Sequence, residues 1–123
     1  MAAPNIVDVT TITGKTAYVA VGTSETQLVS NAASSNKVFK INMIQITNVD
    51  GTSAADITVE LYPAATNSGT SRHLASTISV PADSSIIIID KSTSLYLEED
   101  RSIYVTASAA SDLEAVVSYE EIS

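Results

Sequence analysis

The chain has 123 residues, a length that suits a single domain. Its 14 acidic and 6 basic residues give a net charge of −8 with the basic residues scattered, which argues against binding nucleic acid or an anionic membrane. Cysteine is absent and histidine occurs once, which excludes disulfides, thiolate zinc and multi-histidine metal sites, so we expect no metal and no cofactor.

The first 15 residues are weakly patterned and predict an extended N-terminal arm, 1–15, ahead of one domain that covers 16–123. No basic region and no long apolar run occur at the start, so we expect no signal peptide and synthesis in the host cytoplasm without export. The arm is polar and β-prone, and its apolar side chains are candidates for contact with a partner. These are Ile6, Val7, Val9 and Ile12.

Alternating apolar and polar residues then predict nine strands separated by turn residues. The expected strands are 16–21, 25–30, 37–47, 56–62, 74–80, 85–90, 95–97, 102–108 and 112–121. No segment has a convincing helical pattern. We therefore expect an all-β fold, an antiparallel two-sheet β-sandwich of eight or nine strands, either Ig-like or jelly-roll-like, with a closed barrel as the alternative.

Two strands carry unusual patterns. In 37–47 the apolar residues share one phase up to Met43 and the other phase from Ile44 onward. A slip of one residue reverses every side chain, so we predict either a β-bulge between these two residues or a strand that passes from one sheet to the other. The four consecutive isoleucines of 86–89 predict a strand that is covered on both faces.

The residues that could carry chemistry are few. His73 follows a Gly/Ser loop without a recognisable nucleophile motif, so a hydrogen-bonded surface histidine is favoured over a catalytic base. Glu98-Glu99-Asp100 offers three carboxylates, but their spacing matches no standard calcium loop, and turn chemistry is favoured over a calcium site. We expect no catalytic residues and no enzymatic activity.

Three tyrosines lie on the phase opposite to the apolar residues of their strands. Tyr18, Tyr62 and Tyr104 are therefore expected on the outer faces of the sandwich. Tyrosine is enriched in protein interfaces, which makes these residues candidates for an interface together with the apolar residues of the arm. The alternative is cross-strand pairing on a partly covered face.

Several runs of residues resemble small β-sandwich virion structural proteins of tailed phages. The resemblance is strongest to those of cyanophages and other marine phages. The runs are IQITN at 44–48, DITVELY at 56–62, VPADS at 80–84, LYLEEDRSIYVTAS at 95–108 and VVSYEEIS at 116–123. The likeness extends over 16–123. It departs at Glu99-Asp100, in the turn after strand 95–97, where related sequences usually have Gly-Asp. Glycine adopts a positive φ readily, so its absence argues against a glycine-dependent positive φ in this turn.

The resemblance implies a virion protein, above all a capsid decoration or cement protein that binds the outer surface of the assembled coat and stabilises it. Its implied partners are the major coat protein, other virion proteins and further copies of itself as a homo-oligomer. A neck, tail or fibre component is the alternative within the virion. A carbohydrate-binding β-sandwich module is a less favoured alternative from another class.

Overall fold

A computed structural model describes residues 7–123, in which nine strands are joined by turns. The strands are β1 (Ile12–Ala20), β2 (Thr26–Asn31), β3 (Val38–Asn48), β4 (Ala55–Tyr62), β5 (Arg72–Val80), β6 (Ser85–Ile89), β7 (Leu95–Leu97), β8 (Arg101–Ala107) and β9 (Leu113–Ile122). A single 3₁₀ turn follows β6. Within these residues, no helix has the length and apolar character needed to cross a membrane. Strand β1 begins at Ile12, inside the segment that the sequence assigned to the arm.

The strands form two antiparallel sheets that pack face to face, which confirms the expected β-sandwich. Sheet A has the order β1-β9-β3-β6, and β7 pairs with the first part of β3; sheet B has the order β2-β8-β4-β5. The pairs β1–β9, β2–β8, β3–β6 and β4–β5 are nested, as if one long hairpin were rolled into two layers. This nesting is the jelly-roll arrangement. Of the three expected architectures, the jelly roll is therefore the one observed, and the Ig-like sandwich and the closed barrel are not.

The core lies between the sheets because each central strand points every second side chain inward. Strands β3, β4, β8 and β9 supply most of it. Their fully buried side chains are Ile41, Ile44, Ile46, Ile57, Val59, Ile103, Val105, Leu113, Ala115 and Val117. Nearly all of these residues are aliphatic, so the two layers are held together mainly by apolar burial.

A bulge in β3 keeps both halves of that strand facing the core. Ile41 pairs with Tyr119 and Met43 pairs with Ser118, so Asn42 has no partner of its own on β9. A second irregularity lies between Ile44 and Gln45 on the β6 side. The bulge prediction is confirmed, one to two residues from the expected position, whereas the alternative of a strand that changes sheet is wrong.

Two buried asparagines close the ends of the sandwich. The Asn48 side-chain amide donates to the carbonyl oxygens of Ser53 and Val80, both at 2.9 Å. At the end of β2, the Asn31 amide donates to the carbonyl oxygens of Lys37 and Leu97 at 2.9 and 3.0 Å. Each amide binds a nearby loop and a distant strand end, so it replaces ladder hydrogen bonds where the strands stop.

Deletion of Asn42 tests the role of the bulge. Without this residue β3 alternates regularly, so Ile41 and Ile44 both still point into the core and keep their partners on β9. We expect a loss of only about 1 kcal/mol in the free energy of unfolding measured in urea, from the hydrogen bond of the Asn42 side chain. Deletion of Lys40, in the regular part of β3, is the contrasting variant: it reverses the faces on one side of the gap, turns Phe39 or Ile41 toward solvent and should cost at least about 1.5–3 kcal/mol. Equal losses for the two deletions would contradict this account.

Candidate interaction surface

The outer face of sheet A carries exposed apolar side chains in register. Tyr18, Val116, Gln45 and Ile87 are successive partners across β1, β9, β3 and β6, so their side chains lie in one row on the same side. Tyr18 is 81% exposed and Ile87 is 58% exposed. Their chain neighbours on the opposite phase point into the core, so this row faces away from sheet B.

A second row crosses the same face four residues away from the first along β1. Gly14, Glu120, Lys40 and Tyr96 are successive partners across β1, β9, β3 and β7. Tyr96 is 48% exposed. We define the outer apolar face as the exposed or half-buried apolar residues on this side of sheet A. Those larger than alanine are Ile12, Tyr18, Met43, Ile87, Tyr96 and Val116.

The outer apolar face is not flat. A depression of about 490 Å³ separates the two rows and is lined by Asn42, Met43, Ile87 and Ser118, with the start of the 3₁₀ turn at its rim. The Asn42 amide donates to a Glu120 carboxylate oxygen at 3.0 Å, which holds the bulge residue against the sheet. The bulge therefore also shapes the outer face, because it places Met43 beside Ile87.

The isoleucine-rich strand contributes to this face because it is an edge strand. Within residues 7–123, strand β6 pairs only with β3, and Ile87 points away from the core. The prediction that the four isoleucines lie in a strand covered on both faces is therefore wrong: Ile86, Ile88 and Ile89 pack toward the core, but Ile87 does not.

The three tyrosines predicted to face outward have different surroundings. Tyr18 is exposed, as expected, whereas Tyr62 and Tyr104 are only 7% and 8% exposed. Their rings meet edge to face on the outer side of sheet B with centroids 5.4 Å apart. The expectation that these two side chains are exposed is wrong, because neighbouring strands and loops cover them. Cross-strand pairing, the alternative stated from the sequence, describes them instead.

Hydrogen bonds hold this buried tyrosine pair. The Tyr62 hydroxyl donates to a Glu25 carboxylate oxygen, and the Tyr104 hydroxyl donates to Gln27 Oε1 at 3.1 Å. The bond to Glu25, together with burial and the nearby Glu60 carboxylate, raises the pKa of Tyr62 to about 12. Both hydroxyls are thus engaged within the protein and are not offered to a partner.

The predicted interface residues of the arm are only partly described. Ile6 lies outside the described residues. Val7 is 90% exposed, Val9 is half-buried and Ile12 is 59% exposed. The backbone of Thr11 exchanges two hydrogen bonds with Ser123, at 2.9 and 3.0 Å, so the end of the arm continues the β1–β9 ladder.

His73 and the acidic turn have roles within the fold. His73 is half-exposed, and its Nε2 atom lies 3.9 Å from a Glu60 carboxylate oxygen that also accepts a hydrogen bond from Ser71. Within residues 7–123, no three histidine or acidic side chains are grouped closely enough to hold a metal ion.

In the acidic turn, Asp100 accepts a hydrogen bond from the Ala65 backbone amide at 2.9 Å, and Glu99 accepts one from the Asn36 amide at 3.1 Å. Asp100 itself has a φ of 58°. The left-handed residue of this turn is therefore the aspartate, which tolerates this region better than most residues, and not Glu99, the position at which the resemblance places a glycine.

No model of a known protein family matches this chain, and a search of curated proteins found no significant match.

The sequence interpretation missed Met43, Ile87, Tyr96 and Val116 as surface residues. For Val116, alternation within β9 already indicated an outward direction, because its neighbours on either side are core residues. For Met43 and Ile87 the sequence gives no such indication. A bulge lies beside each of them, so the alternation of apolar and polar residues does not show which way their side chains point.

Replacement of Tyr62 by phenylalanine tests the hydrogen bond to Glu25. We expect a loss of about 1 kcal/mol in the free energy of unfolding at pH 7, from one net hydrogen bond. The pKa of Tyr62 is raised in the folded state, so its contribution is complete below pH 10 and declines as pH rises toward 12. Urea unfolding at pH 8 and pH 11.5 should show a smaller alkaline loss for Y62F than for the wild type. Tyr18→Phe is the exposed control, and an equal effect from both variants would refute the assignment.

Proposed function

We propose that this protein is a virion structural protein that decorates the outer surface of an assembled coat, with the outer apolar face of sheet A as its coat-facing surface. The observation that carries the proposal is the alignment of Tyr18, Val116 and Ile87 across a sheet face that no other part of the described chain covers. Contiguous exposed apolar residues of this kind mark sites of protein contact more often than chance exposure does.

The fold is compatible with this role. Jelly rolls occur in viral capsid domains and also in lectins and cupins, so the architecture alone does not choose among these classes. The resemblance of 16–123 to small phage virion proteins favours the first class. The paired tyrosines on sheet B lack the exposure that stacking on a sugar ring requires, which weighs against the carbohydrate-binding alternative for that face.

The mechanism of stabilisation would be mass action. A protein that binds the assembled coat and not its dissociated subunits shifts the equilibrium toward the assembled state. Each contact can be weak, because many copies on a symmetric lattice act together. The net charge of −8 limits unspecific aggregation of the protein before it reaches the coat.

Ile87→Lys tests the coat-facing surface. A lysine in the middle of an apolar contact must lose its hydration, so we expect binding to purified undecorated shells to weaken at least tenfold. Val49→Lys is a matched control, because Val49 is 50% exposed and lies outside the outer apolar face. Co-sedimentation with shells measures both variants, and equal binding by the two would contradict this choice of surface.

The number of copies per particle distinguishes decoration from the alternatives within the virion. Hundreds of copies, measured by quantitative mass spectrometry of intact particles, support a decoration protein. A dozen or fewer would replace this proposal with a neck or tail component. Absence of the protein from purified particles would reject a virion role altogether.

A further inference from the structure

Strand β1 has an open edge with hydrogen-bonding groups directed away from the protein. Thr11 exchanges two hydrogen bonds with Ser123, and the Val21 amide donates to the Leu113 carbonyl oxygen at 2.9 Å. Both positions are odd-numbered, so the odd residues of β1 direct their backbone groups toward β9. The even residues therefore direct their N–H and C=O groups to the open side. These are Ile12, Gly14, Thr16, Tyr18 and Ala20.

This edge has little of the usual protection against pairing. Within residues 7–123, β1 pairs with β9 and with no other strand, and every residue of β1 is at least partly exposed. The strand is nine residues long, shows no register shift against β9, and contains no proline. Lys15 is its only charged residue. Long, regular, weakly charged edges of this kind are templates for another strand.

We propose that β1 pairs antiparallel with β1 of a second copy of this chain, across a two-fold axis at Thr16. The even residues of one copy then exchange hydrogen bonds with those of the other. Thr16 lies opposite Thr16 of the second copy, Gly14 lies opposite Tyr18, and Ile12 lies opposite Ala20. The two sheets A join into one continuous sheet.

The side chains in this register are complementary in size. The largest exposed side chain on the strand, Tyr18, meets Gly14, whose missing side chain leaves space: a Cβ atom added there would contact no atom within 4 Å. Ile12 meets the small Ala20, and the two threonines form a pair that is favourable on sheets. On the outer face, a large residue therefore meets a small one on either side of the central threonine pair.

Neighbouring registers are less favourable. A shift that centres the axis on Lys15 sets two lysines opposite each other, which costs free energy by like-charge repulsion. A shift that centres it on Gly14 leaves Tyr18 beyond the paired segment and opposes two glycines. A shift that centres it on Ala17 places Tyr18 opposite Thr16 and removes the match between large and small residues. The register at Thr16 is the one in which charge and size agree.

The dimer does not depend on the proposed function, since it requires only the purified protein. Its first test is crosslinking, which the absence of native cysteine makes specific. In Thr16→Cys, the two cysteines face each other in a hydrogen-bonded pair with Cα atoms about 5.5 Å apart, within the range of a disulfide. In the control Ala20→Cys, the two cysteines lie about 27 Å apart along the strands. Mild oxidation followed by non-reducing electrophoresis should crosslink the first variant and leave the second monomeric, and equal yields would overturn the register.

The second test removes a hydrogen-bond donor from the open edge. Thr16→Pro deletes the Thr16 N–H, which points to the second copy, and leaves the hydrogen bonds to β9 in place, so the monomer should fold and the dimer should weaken at least tenfold. Thr16→Val keeps the N–H and is the matched control. Sedimentation equilibrium measures the dissociation constants, with circular dichroism as the check on folding. A wild-type protein that remains monomeric, or a Thr16→Pro variant that associates as tightly as Thr16→Val, would refute the proposal.

The third test measures how salt changes the dissociation constant of the dimer. Two copies of net charge −8 repel each other, whereas the contact itself contains no ion pair. Association should therefore tighten between low and high ionic strength as the repulsion is screened. A dimer that dissociates on addition of salt would point to a contact held by charge rather than by β1.

Discussion

The whole sandwich depends on how β3 is paired. This strand is the longest, and it alone has three partners: β9 along one side, and β6 and β7 in succession along the other. Its inward residues must match those of all three neighbours at once. The unpaired Asn42 makes this possible, because it shifts the phase once and lets Ile41 and Ile44 both point into the core. An unbulged strand with the same residues would bury one half and expose the other.

Alternation along the chain was sufficient to predict eight or nine strands and the two-layer class, and to locate the phase change in β3, but not to decide between a bulge and a change of sheet. It reports which side of a strand a residue occupies, but it does not report what covers that side. Tyr62 and Ile87 illustrate this limit, since both lie on the outer side of their sheets. Tyr62 lies on a central strand and its hydroxyl binds Glu25, whereas Ile87 lies on an edge strand and is exposed. The difference arises from sheet order, which a local pattern does not contain.

The loop geometry was beyond local prediction for a related reason. Asn31 and Asn48 look like ordinary turn residues in the sequence, yet each binds a carbonyl oxygen at least thirty positions away. Asp100, which has a positive φ, likewise accepts a hydrogen bond from the backbone amide of Ala65, in the loop between β4 and β5. In a jelly roll the nested pairing brings the ends of distant strands together, so a polar residue at a strand end finds partners that sequence distance conceals.

The proposed dimer and the proposed coat-facing surface are geometrically compatible. A two-fold axis between antiparallel strands of one sheet runs perpendicular to that sheet, so it keeps the outer faces of both copies on the same side. Two outer apolar faces would then lie side by side, with Tyr18 of each copy near the axis. A dimer of this form would place two contacts on the coat at once, so that binding of the first copy raises the effective concentration of the second. Weak individual contacts would then be sufficient for stable attachment, and a change at Thr16 that blocks the β1 edge would reduce attachment although Thr16 is not part of the outer apolar face.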